Sequence, residues 1–82
     1  MEIKALGGCC SRSTQNFMNI KEAVQKLNLN IEVEQVSDTM EIMNYGVMST
    51  PGMVINGKAV ASGRMLSVED AMALIKRFGD HL

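Results

Sequence analysis

The dipeptide Asn56-Gly57, set between Met53-Val54-Ile55 and Lys58-Ala59-Val60-Ala61, most constrains what this chain can fold into. Asn-Gly is the preferred centre of a two-residue type I′ turn, because both central residues need positive φ. An antiparallel hairpin over 53–55 and 58–61 is therefore predicted. A hairpin alone is marginal in water, so the rest of the chain must supply more strands and the helices that cover them.

The upstream sequence reads accordingly. Residues 2–6 form a short apolar strand that enters Gly7-Gly8. Phe17, Ile20, Val24 and Leu27, joined by Ala23, recur at helical spacing and predict an amphipathic helix over about 13–27. Lys21, Glu22, Gln25 and Lys26 fall on its polar side, and Asn28 to Asn30 ends it. Ile31 and Val33 alternate with Glu32 and Glu34, the period of a half-buried strand running over 31–36. Ser37 or Asp38 can cap a shorter helix containing Met40, Ile42 and Met43, with Gly46 as its stop. Val47 to Gly52 is a loop carrying the single proline, Pro51. Ser67 and Asp70 approximate a capping box for a last helix with Val68, Ala71, Met72, Ile75 and Phe78 as its stripe and Gly79 as C-cap. The order is β-α-β-α-β-β-α. A right-handed crossover makes the first two strands parallel, and the hairpin adds an antiparallel pair. The expected class is α/β, a four-stranded mixed sheet with helices on both faces.

With 82 residues, 1–82 reads as a single domain near the low end for unaided folding. Aromatic residues are few, so the eight methionines are expected mainly as core packing. A net charge of −1 with interspersed signs gives no basic face for nucleic acid. No apolar run approaches a membrane span. The N-terminal segment lacks a signal peptide's apolar region, so the expected location is cytoplasmic.

The chemistry concentrates in Gly7-Gly8-Cys9-Cys10-Ser11-Arg12-Ser13, which holds both cysteines. Adjacent cysteines do not make a stapling framework and are better read as reactive than structural. At a strand-to-helix turn, free backbone N–H groups and the helix dipole favour a thiolate. Cys10, nearer the helix, is the candidate nucleophile; the alternative is a buried cysteine acting as a small hydrophobe, against which the flanking Gly and Ser residues argue. Cys9 has two readings. It is a resolving thiol that closes a strained, easily reduced vicinal disulfide with Cys10, or it points into the core under the first strand and is inert. Arg12 assists Cys10 if its guanidinium folds back, and otherwise points into solvent. Ser13 can donate a hydrogen bond to a Cys10 thiolate, and Ser11 or Ser13 can cap the helix. His81, next to last, is a tail residue, which leaves Cys-His hydrolase chemistry without a general base. Two adjacent cysteines and that histidine do not make a zinc site, and the scattered methionines do not read as a copper site. No metal and no cofactor are expected.

The cysteine turn after the first strand and a Thr-Pro before the third resemble the thioredoxin and glutaredoxin superfamily. The match is closest to its minimal prokaryotic branch, the short thioredoxin-like proteins also called redox-active disulfide proteins. Tyr45-Gly46-Val47-Met48-Ser49-Thr50-Pro51, Ile55-Asn56-Gly57-Lys58 and Ser62-Gly63-Arg64 look especially like that branch. The resemblance covers the whole chain and implies a thioredoxin-like fold. It aligns Cys10 with the nucleophilic cysteine of the C-x-x-C motif and Ser13 with the second cysteine. It aligns Thr50-Pro51 with the pair carrying the cis-proline, whose preceding backbone would be free to pair with an extended substrate. The implied function is that of a small thiol-disulfide oxidoreductase, with Cys10 attacking and Cys9 or an external thiol resolving. Its catalytic residues would be Cys10, Cys9 and Ser13, and its substrate-binding residues Thr50, Pro51 and Arg12. Its partners would be protein or small-molecule disulfides and thiols, together with a reductant. Two alternatives remain at this point: a thiol module that binds a soft metal, arsenite or a cluster, and a redox-inactive interaction protein on the same scaffold.

Overall fold

The computed structural model describes residues 2–8 and 11–78. Along them run β1 (Ile3–Leu6), α1 (Ser11–Lys26), β2 (Glu34–Val36), α2 (Thr39–Asn44), β3 (Gly52–Ile55), β4 (Lys58–Ser62) and α3 (Val68–Phe78). The readings for Cys9, Cys10, Gly79 and His81 lie outside the described residues. The four strands form one sheet in the order β2-β1-β3-β4. β1 is parallel to β2 and antiparallel to β3, and β3 is antiparallel to β4. At the hairpin tip, Asn56 and Gly57 both have positive φ, 52° and 81°, as a type I′ turn requires.

Alternation along β1 and β3 sends side chains to two cores. Ile3, Ala5, Met53 and Ile55 pack with Ile20, Ala23 and Val24 of α1, Ala71 and Ile75 of α3, and Leu66. Leu6, Val54 and Val36 pack on the other face against Ile42 of α2 and Val47. Helices therefore cover both faces. Among the described residues, no helix is long and apolar enough to cross a membrane.

The helix ends follow local chemistry. Asn28 takes positive φ (57°) after α1. Its N–H donates to the Gln25 carbonyl and that of Leu29 to the Val24 carbonyl, the paired bonds of a Schellman end. The Asp38 carboxylate accepts from the Met40 N–H at 2.9 Å and caps α2. Gly46, with φ 80°, closes that helix by donating to the Met43 carbonyl. The Ser67 hydroxyl accepts from the Asp70 N–H at 3.1 Å and caps α3.

Three expectations need correction. The second strand is shorter than 31–36, because only Glu34 to Val36 pairs with β1. The Glu2 N–H and C=O lie on the other side of β1, where they bond Asn56 at the hairpin tip. Ile31 and Val33 still pack on the α1 side, as the alternation predicts, but without a ladder. Next, α1 is already helical at Ser11, which makes Ser11 and Ser13 its first and third residues. Both lie inside the helix, so neither is the cap. Finally, the methionines are not mainly core. Met53 is buried, but Met18, Met40, Met43, Met48 and Met65 are exposed, and they are all the exposed large hydrophobics among the described residues. The reason is that α2 spans only six residues and buries Ile42 alone, which leaves Met40 and Met43 outward.

Asn16, fully buried on α1, joins the two halves of the chain. Its amide donates to the Gly52 carbonyl at 3.0 Å, and its carbonyl accepts from the Leu66 N–H at 2.9 Å. Asn19, one turn on, donates to the Leu66 carbonyl at 2.8 Å. Asn16→Leu should therefore destabilise the fold by about 2–5 kcal/mol, because it leaves two buried backbone groups without partners. Asn19→Ala, which removes one part-buried bond, should cost about 1 kcal/mol. Urea unfolding of both variants measures the difference, and equal losses would mean that Asn16 is not a buried anchor.

Candidate functional site

The strand-to-helix turn starts from a tight junction. The Gly7 N–H donates to the Val36 carbonyl at 2.8 Å and prolongs the β1–β2 ladder by one step. Gly7 then takes φ 147°, and the space a Cβ would need is occupied by the Cβ and Oγ of Ser13. The third residue of α1 is thus seated against the end of β1. That contact explains why Ser13, though polar, is only 2% exposed. The chain between Gly8 and Ser11 has to connect these two seated points.

On the neighbouring strand, the Thr50–Pro51 peptide bond is cis and Pro51 is buried. The Ser49 carbonyl accepts from the Gly63 N–H at 3.0 Å, and the Pro51 carbonyl accepts from the Arg64 N–H at 3.2 Å. These bonds carry the β3–β4 pairing past the strand ends. Thr50, between them, is exposed, and among the described residues its backbone N–H and C=O have no partner. Thr50 thus leaves an open N–H and C=O between two paired carbonyls.

Gly8 and Thr50 line the same trough, a cavity of about 500 Å³ between α2 and the loop entering β3. Its floor is Ile42 and Val47, both buried, and Met43 and Met48 rise exposed at its sides. The rim carries hydroxyls, those of Ser37, Thr39 and Ser49 beside Thr50. No described residue lining it is charged. The far end of the loop is held by Lys4, whose ammonium donates to the Tyr45 hydroxyl at 3.0 Å. That hydrogen bond, chiefly, holds the Lys4 pKa above the ordinary lysine value, with help from the nearby Glu2 carboxylate.

The structure thus brings Gly8 and Thr50 to one cavity, with Pro51 beneath the open peptide and Ser13 behind Gly7. Arg12 is exposed on the first turn of α1, does not line the trough, and makes no ion pair with another described residue. Among the described residues, no group of three or more His, Cys, Asp or Glu is placed to hold a metal ion. Sequence reasoning missed Asn16 and the trough-lining Met43 and Met48. Asn16 had a signal: it falls on the stripe of Ile20 and Ala23, where a polar residue needs buried partners.

Comparison with known proteins gives a consistent result. Residues 1–76 match the family model of a thioredoxin domain. The chain is 32% identical over 76 residues to a thioredoxin of Methanocaldococcus jannaschii, covering 93% of this chain and 87% of that protein. It is 27% identical over 75 residues to a thioredoxin of Methanothermobacter thermautotrophicus, covering 92% of this chain and 97% of that one.

The Gly7–Ser13 seat predicts a coupled response to mutation. Gly7→Ala should lose more than about 1 kcal/mol, since both the backbone angle and the space exclude a Cβ. In a Ser13→Gly background the same change should cost less, because the obstructing atoms are gone. Denaturant unfolding of the four proteins measures this, and a purely additive pair would mean the two residues do not press on one another.

Proposed function

Because this chain belongs to the thioredoxin domain family, we propose that it is a small thiol-disulfide oxidoreductase with Cys10 as the attacking thiolate. The observation that carries the reading is the shared trough: Gly8, next to the cysteine pair, and the open Thr50 peptide line one cavity. A substrate strand lying on Thr50 would then present its sulfur to the turn. The Cys10 thiolate attacks one sulfur of the substrate disulfide, the S–S bond breaks, and the released thiolate takes a proton. Cys9, or an external thiol such as dithiothreitol in an assay, then attacks the Cys10 sulfur as a thiolate. The second substrate thiol leaves, and the oxidised pair ends as Cys9–Cys10 or as Cys10 bonded to the external thiol. Two electrons pass from the protein or external thiols to the substrate disulfide.

Ser13 is the residue that sets this chain apart from the C-x-x-C pattern. A hydroxyl cannot resolve a mixed disulfide, so its part in this scheme is to support the Cys10 thiolate. Thr50 and Pro51 position the substrate, and Arg12 acts at the outer edge. A cytoplasmic location, where thiols stay reduced, belongs to the same proposal.

Two measurements test it. In iodoacetamide labelling against pH, Cys10 should react faster than Cys9, with a midpoint below the free-thiol value of ~8.5. Equal rates with an ordinary midpoint would remove the activated nucleophile. In insulin reduction with dithiothreitol, Cys10→Ser should fall to the background rate and Ser13→Cys should exceed the native protein. Native turnover as fast as that of Ser13→Cys would identify Cys9 as a competent resolving thiol. No turnover in either protein would overturn the oxidoreductase reading.

A further inference from the structure

Every exposed large apolar side chain among the described residues is a methionine: Met18, Met40, Met43, Met48 and Met65. Apolarity alone does not explain that choice, because Leu or Ile would serve as well. What methionine adds is an oxidisable sulfur. Inside the molecule the pattern is reversed. The two core clusters consist of Ile, Val, Leu and Ala with Met53 as their one methionine, and Met72 is half-buried at the margin of the larger. None of the five exposed methionines belongs to either cluster. Two of the five, Met43 at 59% exposure and Met48 at 96%, stand at the trough lined by Gly8 and Thr50. We propose that Met43 and Met48 are a peroxide-modified pair, whose oxidation to the sulfoxide turns the trough polar and weakens its hold on substrate while the fold stays intact.

The step needs hydrogen peroxide and, from the protein, only the thioether. The sulfur attacks one peroxide oxygen, the O–O bond breaks and an S–O bond forms. The other oxygen leaves as water, taking the proton from the transferred oxygen. Sulfur loses two electrons and the peroxide gains them. Met53, with 0% exposure, is shielded from the oxidant. The product is a polar side chain where an apolar one stood. No described residue of the trough lining is charged, and its floor of Ile42 and Val47 is buried, so Met43 and Met48 are its accessible large apolar groups. A substrate side chain that covers a sulfoxide strips water from its oxygen, and an apolar one gives no hydrogen bond in return. The change is felt at the site and not in the core, because neither methionine packs in a cluster. It is reversible: two thiols reduce the sulfoxide through a methionine sulfoxide reductase, leaving a disulfide and water.

This inference rests on the thiol-disulfide reading for the nature of the substrate, and the test separates the two. In the first arm the full chain carries Cys9→Ser and Cys10→Ser, so that thiol oxidation plays no part. After hydrogen peroxide treatment, peptide mapping should show Met43 and Met48 converted at least about tenfold faster than Met53, with the thermal unfolding midpoint unchanged. Affinity for insulin B chain with carbamidomethylated cysteines should fall about tenfold. It should return after incubation with dithiothreitol and methionine sulfoxide reductases of both epimer specificities. With Met43→Leu and Met48→Leu added, the same treatment should leave the affinity where it was, although Met18, Met40 and Met65 are still oxidised. In the second arm the native protein is treated with its thiols capped by 5-thio-2-nitrobenzoate and then uncapped with dithiothreitol. Its insulin reduction should fall in proportion and recover with the reductases but not with dithiothreitol alone. Slow conversion of Met48, a lowered midpoint, no binding before treatment, unchanged affinity, or an equal loss in the leucine variant would each overturn the modified pair even if turnover is normal. The expected loss of binding with no turnover from untreated native protein would instead overturn the thiol reading and leave the modified pair standing.

Discussion

The arrangement of this small fold depends on the Asn16 side chain more than on any single apolar contact. Hydrophobic burial is non-directional, so it brings α1, the sheet and α3 together without setting their register. Asn16 sets it. Its two bonds reach Gly52, where β3 begins directly after Pro51, and Leu66, in the connector to α3. A buried amide so placed has no water to fall back on, and sliding α1 along the sheet would strand three polar groups at once. Asn19 binds the other side of the same Leu66 peptide, so the connector is held at both its N–H and its C=O.

From that anchor the site is built at short range. Ser13 lies one helical turn before Asn16 and seats against Gly7, the residue that ends the β1–β2 ladder. The start of α1 is thereby tied to β1 through Ser13 and to β3 through Asn16. Pro51 lies beside the second tie and Gly8 beside the first. Gly8 and Thr50 consequently belong to segments whose relative position is set by buried contacts.

How much of this was legible in the sequence depended on the range of the interaction involved. The I′ turn at Asn56-Gly57, the Asp38 cap and the Ser67–Asp70 cap are decided within a few residues, and each stands where local chemistry places it. The alternation of Ile31 and Val33 chose the correct face, but alternation does not fix where pairing with β1 begins, and the ladder covers only Glu34 to Val36. Ser13 looked like a cap because serine caps helices often. Only the missing Cβ of Gly7, across the turn, makes a buried serine inside the helix fit. The methionines misled for a related reason: hydrophobicity alone does not tell an inward position on a short helix from an outward one.

That last error bears on what the exposed methionines are for. The cores are filled by Ile, Val, Leu and Ala, with Met53 as the one fully buried methionine among the described residues. Neither Met43 nor Met48 belongs to the cluster between α1, α3 and the sheet or to the one around Ile42 and Val47. Packing therefore gives no reason to keep large apolar groups at these two positions, and their exposure to water is unfavourable in the free protein. Met40 is exposed on the same short helix, beside the polar Thr39, Glu41 and Asn44. The two methionines stand where apolarity is a cost to the free molecule and a gain only when something covers the trough.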